Sequence, residues 1–232
     1  QALDRPLLLR HDIEQAHLGQ AGKACGPLVR RDRSNGLKNF HRIATGINTG
    51  PLLAKIARNP QWWHEDTYLR TFPQGPFGET DSIILRFPPR AVPKTEEERQ
   101  EMLRTIDQHE CVDLPVYDKL PEARDLVMNL MAYVRGTRLG RVIINRIQPG
   151  GRIFKHADTF DHANYWHRHH ICLQSAPGVV FSAGDEQVYM APGEAWWFDN
   201  GKGDKEEGRP EHEVINNSPV ERIHMVIDIR TL

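Results

Sequence analysis

The chain has 232 residues, 39% of them hydrophobic and 26% charged, with a formal net charge of −1 at pH 7. That length buries a sizeable core, and the near-neutral balance excludes a nucleic acid recognised by charge alone. No apolar run is long enough to cross a bilayer, no signal-peptide pattern stands at the start, and Cys25, Cys111 and Cys172 are widely spaced without a C-x-x-C, so the expectation is a cytoplasmic, reducing compartment with no membrane and no nucleic-acid partner.

Residues 1–45 mix charges and Gly around Pro6-Leu7-Leu8-Leu9 and Pro27-Leu28-Val29 with no clear period, which predicts short elements wrapping a core. Lys and Arg are in excess over Asp and Glu in the first 90 residues, which a solvated surface explains as well as a basic face does. Pro51 followed by Leu52, Leu53, Ile56 and Ala57 predicts a helix that ends before Asn59-Pro60. The aromatic, Pro- and Gly-rich stretch 62–78 reads as packing and turns. Residues 82–87 read as a strand stopped by Pro88-Pro89. A helix is predicted over 95–109, where Thr95-Glu96-Glu97-Glu98 has the pattern of an N-terminal cap. A clearer one begins at Pro121, with apolar Ala123, Leu126, Val127, Leu130, Met131 and Val134 on one face and Gly136 as its stop.

After Gly140 the period changes from helical to strand-like. Strands are predicted at 142–147, 153–158, 168–173, 179–182, 187–190, 195–199, 213–216 and 222–229, separated by turn residues such as Gly150-Gly151, Ala183-Gly184-Asp185 and Pro192-Gly193. Short strands of this kind suit a jelly roll. The chain therefore reads as mainly β (α+β): a core over 140–232, with a mixed N-terminal region and supporting helices over 1–139, in one domain overall. The run Gly201-Lys202-Gly203-Asp204-Lys205-Glu206-Glu207-Gly208-Arg209-Pro210 reads as a solvated loop.

The chemistry-bearing residues sit in that core. In a strand, residues two apart share a face, so His156 and Asp158 can reach one ion while Ala157 points away. With His212 brought alongside, they form a two-histidine, one-carboxylate set that leaves coordination positions open on non-haem Fe(II). On the last strand Arg222, His224 and Val226 share one face, opposite Ile223, Met225 and Ile227. An inward Arg222 can pair bidentately with a carboxylate such as that of 2-oxoglutarate. Arg168 and His170 face inward together, with His169 on the other side. His224 reads equally as a pocket residue or a buried structural histidine, and Asn200 and Asn216 as hydrogen-bonding groups that could orient ligands. Trp196, Trp197 and Phe198 read as core, with at most one ring on the pocket. A metal-binding sensor without turnover, or a zinc hydrolase, could use the same ligands, but neither needs an inward guanidinium.

In order, Gly150-Gly151-Arg152-Ile153-Phe154-Lys155-His156-Ala157-Asp158, Arg168-His169-His170, Gly193-Glu194-Ala195-Trp196-Trp197-Phe198-Asp199-Asn200, His212-Glu213-Val214-Ile215-Asn216 and Arg222 resemble the aspartyl/asparaginyl β-hydroxylase family of Fe(II)/2-oxoglutarate-dependent oxygenases. The resemblance spans roughly residues 140–230. It implies a double-stranded β-helix (cupin-like jelly roll), metal ligands His156, Asp158 and His212, and co-substrate contacts from Arg222, Arg168 and His170. It also implies Fe(II), 2-oxoglutarate and dioxygen as reactants, succinate and carbon dioxide as products, and hydroxylation of an aliphatic C–H in a small molecule or peptide. Some members of that family, the animal enzymes among them, carry Gly where Asp158 stands. The link between Asp199-Asn200 and His212 is longer than the family's usual one.

Overall fold

In the structure, a computed structural model, residues 36–72, 75–90, 94–105, 107, 109–201 and 209–231 are described. The expectations for residues 1–35, and for residues 202–208 of the loop 201–210, lie outside them. In chain order come β1 (Phe40–Ala44), α1 (Gly50–Ala57), α2 (Trp62–Glu65), α3 (Tyr68–Thr71), β2 (Thr80–Phe87), α4 (Glu96–Thr105), β3 (Val112–Asp113), α5 (Pro115–Asp118) and α6 (Pro121–Tyr133). Then follow β4 (Gly136–Ile147), β5 (Arg152–His156), α7 (Phe160–Tyr165), β6 (His167–Gln174), β7 (Val179–Ala183), β8 (Glu186–Val188), β9 (Ala195–Phe198), β10 (His212–Asn216) and β11 (Arg222–Thr231). Among the described residues no helix is long and apolar enough to cross a membrane.

The strands make two antiparallel sheets, a seven-stranded one in the order β1-β9-β6-β11-β4-β2-β3 and a four-stranded one in the order β5-β10-β7-β8. Both orders run through non-consecutive strands, as a jelly roll requires. Each strand of the large sheet has two apolar or chemically loaded faces, because side chains alternate. Its outer face carries Ile83, Leu85, Val142, Ile144, Ile171, Leu173, Met225, Ile227 and Ile229, which pack with Leu52 and Ile56 of α1, Trp62 and Trp63 of α2, and Val127 and Leu130 of α6. Its inner face contributes Phe40, Ile147, Cys172, Trp196 and Phe198 to a second core with Ile153, Phe181 and Val214 of the small sheet. Fully burying one such aliphatic or aromatic side chain is worth about 1.5–3 kcal/mol, so the two cores fix the helix layer and the small sheet on opposite sides of one large sheet.

α6 follows the period in the sequence, with Ala123, Val127 and Leu130 buried and Met128, on the other side, exposed. α4 is capped as its first residues suggest: the Glu98 amide donates to Thr95 Oγ1 at 3.1 Å and the Glu98 carboxylate accepts from the Lys94 amide at 2.6 Å. The large sheet, however, recruits strands from ahead of residue 140. β1, β2 and β3 are integral to it, and β4 starts at Gly136. β1 lies where no period is legible in the sequence, because its edge pairing with β9, Phe40 opposite Phe198, supplies the order that its own pattern lacks.

The turn into β9 needs a glycine. Gly193 has φ +78, and a Cβ there would lie 2.8 Å from the Ile47 carbonyl oxygen. Its own carbonyl accepts from the Ile47 amide at 2.9 Å and its amide donates to the Cys172 carbonyl at 2.9 Å. Left-handed backbone costs a non-glycine residue about 1–2 kcal/mol before any clash. Gly193→Ala is therefore expected to lower the unfolding free energy by at least about 1–2 kcal/mol, read as a lower urea midpoint with an unchanged m-value; an unchanged midpoint would contradict the packing described.

Candidate metal centre

Two histidines far apart in sequence meet because β5 and β10 pair antiparallel with His212 directly opposite His156. Their ring centroids are 4.2 Å apart. Each ring is held by a backbone carbonyl two residues upstream: His156 Nδ1 lies 2.8 Å from the Phe154 oxygen and His212 Nδ1 lies 3.3 Å from the Pro210 oxygen. A Nδ1–H donated to a carbonyl leaves the Nε2 lone pair for a metal. Burial pushes the His212 imidazole down to about 4 and lowers His156 as well, so both rings are neutral, the form that binds metal, at neutral pH.

Asp158 lies beyond the end of β5, which stops at His156. The strand alternation expected to aim it does not extend that far. Its side chain is aimed instead by hydrogen bonds: Arg168 Nη1 donates to both carboxylate oxygens at 2.7 Å and Asn200 Nδ2 donates to Oδ2 at 2.9 Å. A carboxylate offers about four lone-pair sites, so those three contacts leave room for an ion. One donor atom from each of His156, Asp158 and His212 lies within 4.8 Å of the others. Burial alone would raise the Asp158 carboxyl, but the Arg168 guanidinium, with help from His212 and Asn200, outweighs it and holds the group well below the usual carboxylate range.

Arg168 is shared. Its Nε donates to Asp228 Oδ1 at 3.0 Å and its Nη2 reaches Oδ2 at 3.3 Å, while His162 Nε2, from α7, lies 2.8 Å from the same Oδ2. The donors that the resemblance gives to the co-substrate are thus committed to two carboxylates of the protein. Burial works against both charged states, yet the pairing raises Arg168 and depresses Asp228.

Arg222 has the opposite surroundings. It is 1% exposed, its Nη2 contacts His224 Nδ1 at 2.9 Å, and among the described residues it forms no ion pair. Its Nε is buried without a partner, as are both ring nitrogens of His170 and Nε2 of His224. Burial brings the Arg222 guanidinium down to about 10. His170 is pushed well below its ordinary value by burial first and by Arg222 next, so the ring next to this cation stays neutral. Ser82 Oγ donates to Asn145 Oδ1 at 2.8 Å, and Asn145 lines the same cavity.

These groups share one cavity of about 460 Å³, lined by the three metal-ligand candidates, Arg168, His170, Arg222 and Asp228, and by Arg141, Ile143 and Asn145 of β4. Its rim is aromatic: Tyr68, Phe72 and Phe77 come from the stretch expected to do no more than pack and turn. Phe198 also lines the cavity and packs edge-on against His212 at 4.9 Å, while Trp196 is core.

Of the two asparagines named as groups that could orient ligands, Asn200 bonds Asp158. Asn216 Nδ2 donates to the Ile147 and Val220 carbonyls at 3.0 and 2.8 Å, and its Oδ1 accepts from Ser218, so it clamps the turn between β10 and β11. His224 touches Arg222 and not the metal ligands. His169, on the outer face, bonds the His167 carbonyl. Asp228 and Arg141 went unmarked in the sequence. Asp228 continues the inward set Arg222, His224, Val226, and Arg141 continues Ile143 and Asn145, so alternation alone would have found both once the strand ends were known.

A family model described as Aspartyl/Asparaginyl beta-hydroxylase matches residues 108–231. Among solved structures, the chain is similar to a Pseudomonas putida prolyl-4-hydroxylase, with 15% identity over 84% of this chain and 93% of that one and a TM-score of 0.41. It is similar to an oxidoreductase of the 2OG-Fe(II) oxygenase family from Burkholderia pseudomallei, with 15% identity over 80% and 92% and a TM-score of 0.40. A cupin domain from Bordetella pertussis has 18% identity over 41% and 85%, with a TM-score of 0.30. No curated protein matches the chain.

Removing the shared guanidinium leaves two buried carboxylates without their cation, a change that typically costs about 3–5 kcal/mol. Arg168→Met is expected to lose about that much unfolding free energy at pH 7. The carboxylates of the native protein have depressed pKa values, so their contribution is present above about pH 4 and lost as the pH falls through the folded values. In the variant those pKa values rise, and the deficit against the native protein is expected to shrink toward pH ~4. Denaturant titrations of both proteins across that range test this; a deficit independent of pH would contradict it.

Proposed function

The chain belongs to the aspartyl/asparaginyl β-hydroxylase family, and from that premise we propose that it is an Fe(II)- and 2-oxoglutarate-dependent oxygenase that hydroxylates an aliphatic C–H of an amino acid, a peptide residue or a related small metabolite. The observation that carries the reading is Arg222, a fully buried cation on the wall of the cavity with no anion paired to it among the described residues. An unpaired buried charge costs several kcal/mol. A dicarboxylate co-substrate supplies the missing partner. Sensing, storage or zinc hydrolysis does not call for one.

The residues fit the groups they would hold. His156, His212 and Asp158 offer two neutral nitrogens and one anionic oxygen, the donor set and charge that suit Fe(II) with positions left open. Arg222 presents a planar fork to a carboxylate, and His170, whose two ring nitrogens have no partner, is a polar neighbour. When bound, the iron supplies dioxygen activation and the oxidising power for the C–H bond. The chain's own part is to hold three ligands at fixed spacing, keep His156 and His212 unprotonated, neutralise the co-substrate's charge at Arg222, and exclude water with the aromatic rim. Cys111 and Cys172 are free and buried, which suits a reducing compartment such as the cytoplasm.

The purified protein is expected to convert 2-oxoglutarate to succinate only with Fe(II) and dioxygen, at least as a slow uncoupled reaction. Turnover that survives thorough chelation, or runs equally well with zinc, would sink the proposal. Arg222→Ala should weaken 2-oxoglutarate by about 2–5 kcal/mol while iron affinity holds, as read by separate titrations of each.

Asp158 sharpens the test, because relatives by resemblance carry Gly at this place. Its removal leaves Arg168 still paired with Asp228, so the fold of Asp158→Gly is expected to survive. Iron binding and most turnover are expected to be lost, as in His156→Ala and His212→Ala. Near-normal rates in Asp158→Gly beside two dead histidine variants would make this a two-histidine site.

A further inference from the structure

The cavity holds a third guanidinium that the proposed reaction does not use. Arg141 stands on β4, on the inward face with Ile143 and Asn145, and lines the same cavity as the metal-ligand candidates. Among the described residues it makes no hydrogen bond and no ion pair. The Phe87 ring lies against it, with its centroid 5.1 Å from Arg141 Cζ. Phe87 is itself flanked by Arg90 at 5.0 Å. A face-on aromatic ring positions a guanidinium while leaving its in-plane donors free.

The other charges of the cavity are committed. Arg168 is divided between Asp158 and Asp228. Asp228, the carboxylate whose attraction Arg141 feels most, has both oxygens engaged by Arg168 and His162. Arg222 is assigned to the co-substrate. One small diacid does not serve both free cations: Arg222 pairs with Ile147 on β4, and from Ile147 back to Arg141 that strand runs roughly 20 Å at about 3.3 Å per residue. Arg141 is therefore a cation lining a ligand cavity, at the far end of the β4 wall from Arg222, with no anion paired to it among the described residues. The lining of the cavity also includes apolar Phe77, Phe87, Ile143 and Val226.

We propose that Arg141 anchors a carboxylate of the primary substrate, so that the compound oxidised is a carboxylic acid with an apolar body, such as a free amino acid. The inference rests on the oxygenase reading of the site and adds the substrate class to it. Its carboxylate is held by the fork of Arg141, its hydrocarbon part lies against the aromatic wall, and the C–H to be oxidised projects toward His156, Asp158 and His212.

The test uses the protein loaded anaerobically with Fe(II) and 2-oxoglutarate, so that binding is read without turnover. The proteinogenic amino acids and short aliphatic monocarboxylic acids are screened by thermal unfolding. Each acid that raises the midpoint is then compared with its methyl ester by calorimetric titration. The expected result is that at least one acid binds and that its ester binds about 30-fold more weakly or worse. R141Q should bind that acid no better than the native protein binds the ester, while its 2-oxoglutarate affinity stays within about twofold of native; R141K should fall between, because it keeps the charge but not the fork. The ester comparison needs no variant, so it stands even if R141Q folds poorly. Equal binding of acid and ester, undiminished binding to R141Q, or a panel in which no acid binds would each overturn the proposal. Failure of 2-oxoglutarate itself to bind strikes the oxygenase reading, whereas failure confined to acid against ester strikes Arg141 alone.

Discussion

Arg168 has to satisfy two carboxylates at once, and the geometry of the cavity depends on its doing so. Asp158, Arg168 and Asp228 are all nearly removed from water, with side-chain exposures of 12%, 12% and 1%. Each charge is tolerable only because the next neutralises it. The links join parts of the chain that no single strand connects. Asp158 comes from the loop after β5, in the small sheet; Arg168 and Asp228 are opposite one another on β6 and β11, in the large sheet; and His162 arrives on the short helix α7. Such a network contributes little net stability compared with apolar packing of the same volume, but breaking it is costly. Its effect is to fix where Asp158 stands after the strand that carries His156 has ended.

The second constraint is the alternation of β11. Ile223, Met225, Ile227 and Ile229 face the helix layer and are buried in its core, while Arg222, Val226 and Asp228 face the cavity. A one-residue slip in register would exchange those faces, burying a guanidinium and a carboxylate among leucines and isoleucines. The long pairing of β11 with β4 on one side and β6 on the other prevents it. Stability on one face thereby holds the chemistry on the other. This is why a site containing several buried ionisable groups can persist: the apolar face of the same strands supplies the burial that the polar face lacks.

How much of this the sequence disclosed follows from the range of each interaction. His156, Asp158, His212 and Arg222 were legible because ordered motifs carry them, and the helices at Pro51 and Pro121 because start, period and stop are local signals. The strands after Gly140 were legible for the same reason. The partnership of Arg168 was not, since two inward residues on one strand do not reveal that a carboxylate waits directly across on another. Asn216 looked like a ligand-orienting amide because it follows His212 closely, but the turn between β10 and β11 takes all its hydrogen bonds. β1 gave no pattern because it is ordered by its neighbour. The aromatic stretch 62–78 divided in two: Trp62 and Trp63 went to the core as expected, and Tyr68, Phe72 and Phe77 to the cavity rim.

That division shapes how the cavity is used. Arg222 is almost wholly inaccessible, whereas Phe72 at the rim is 52% exposed. The metal-ligand candidates and, on the β4 wall, Arg141 line the same cavity. Arg141 is half-buried, so the two cations differ in burial as well as in position along the strand. If the anion of the proposed co-substrate neutralises Arg222, Arg141 is the cation left facing the cavity, because Arg168 is already held by Asp158 and Asp228.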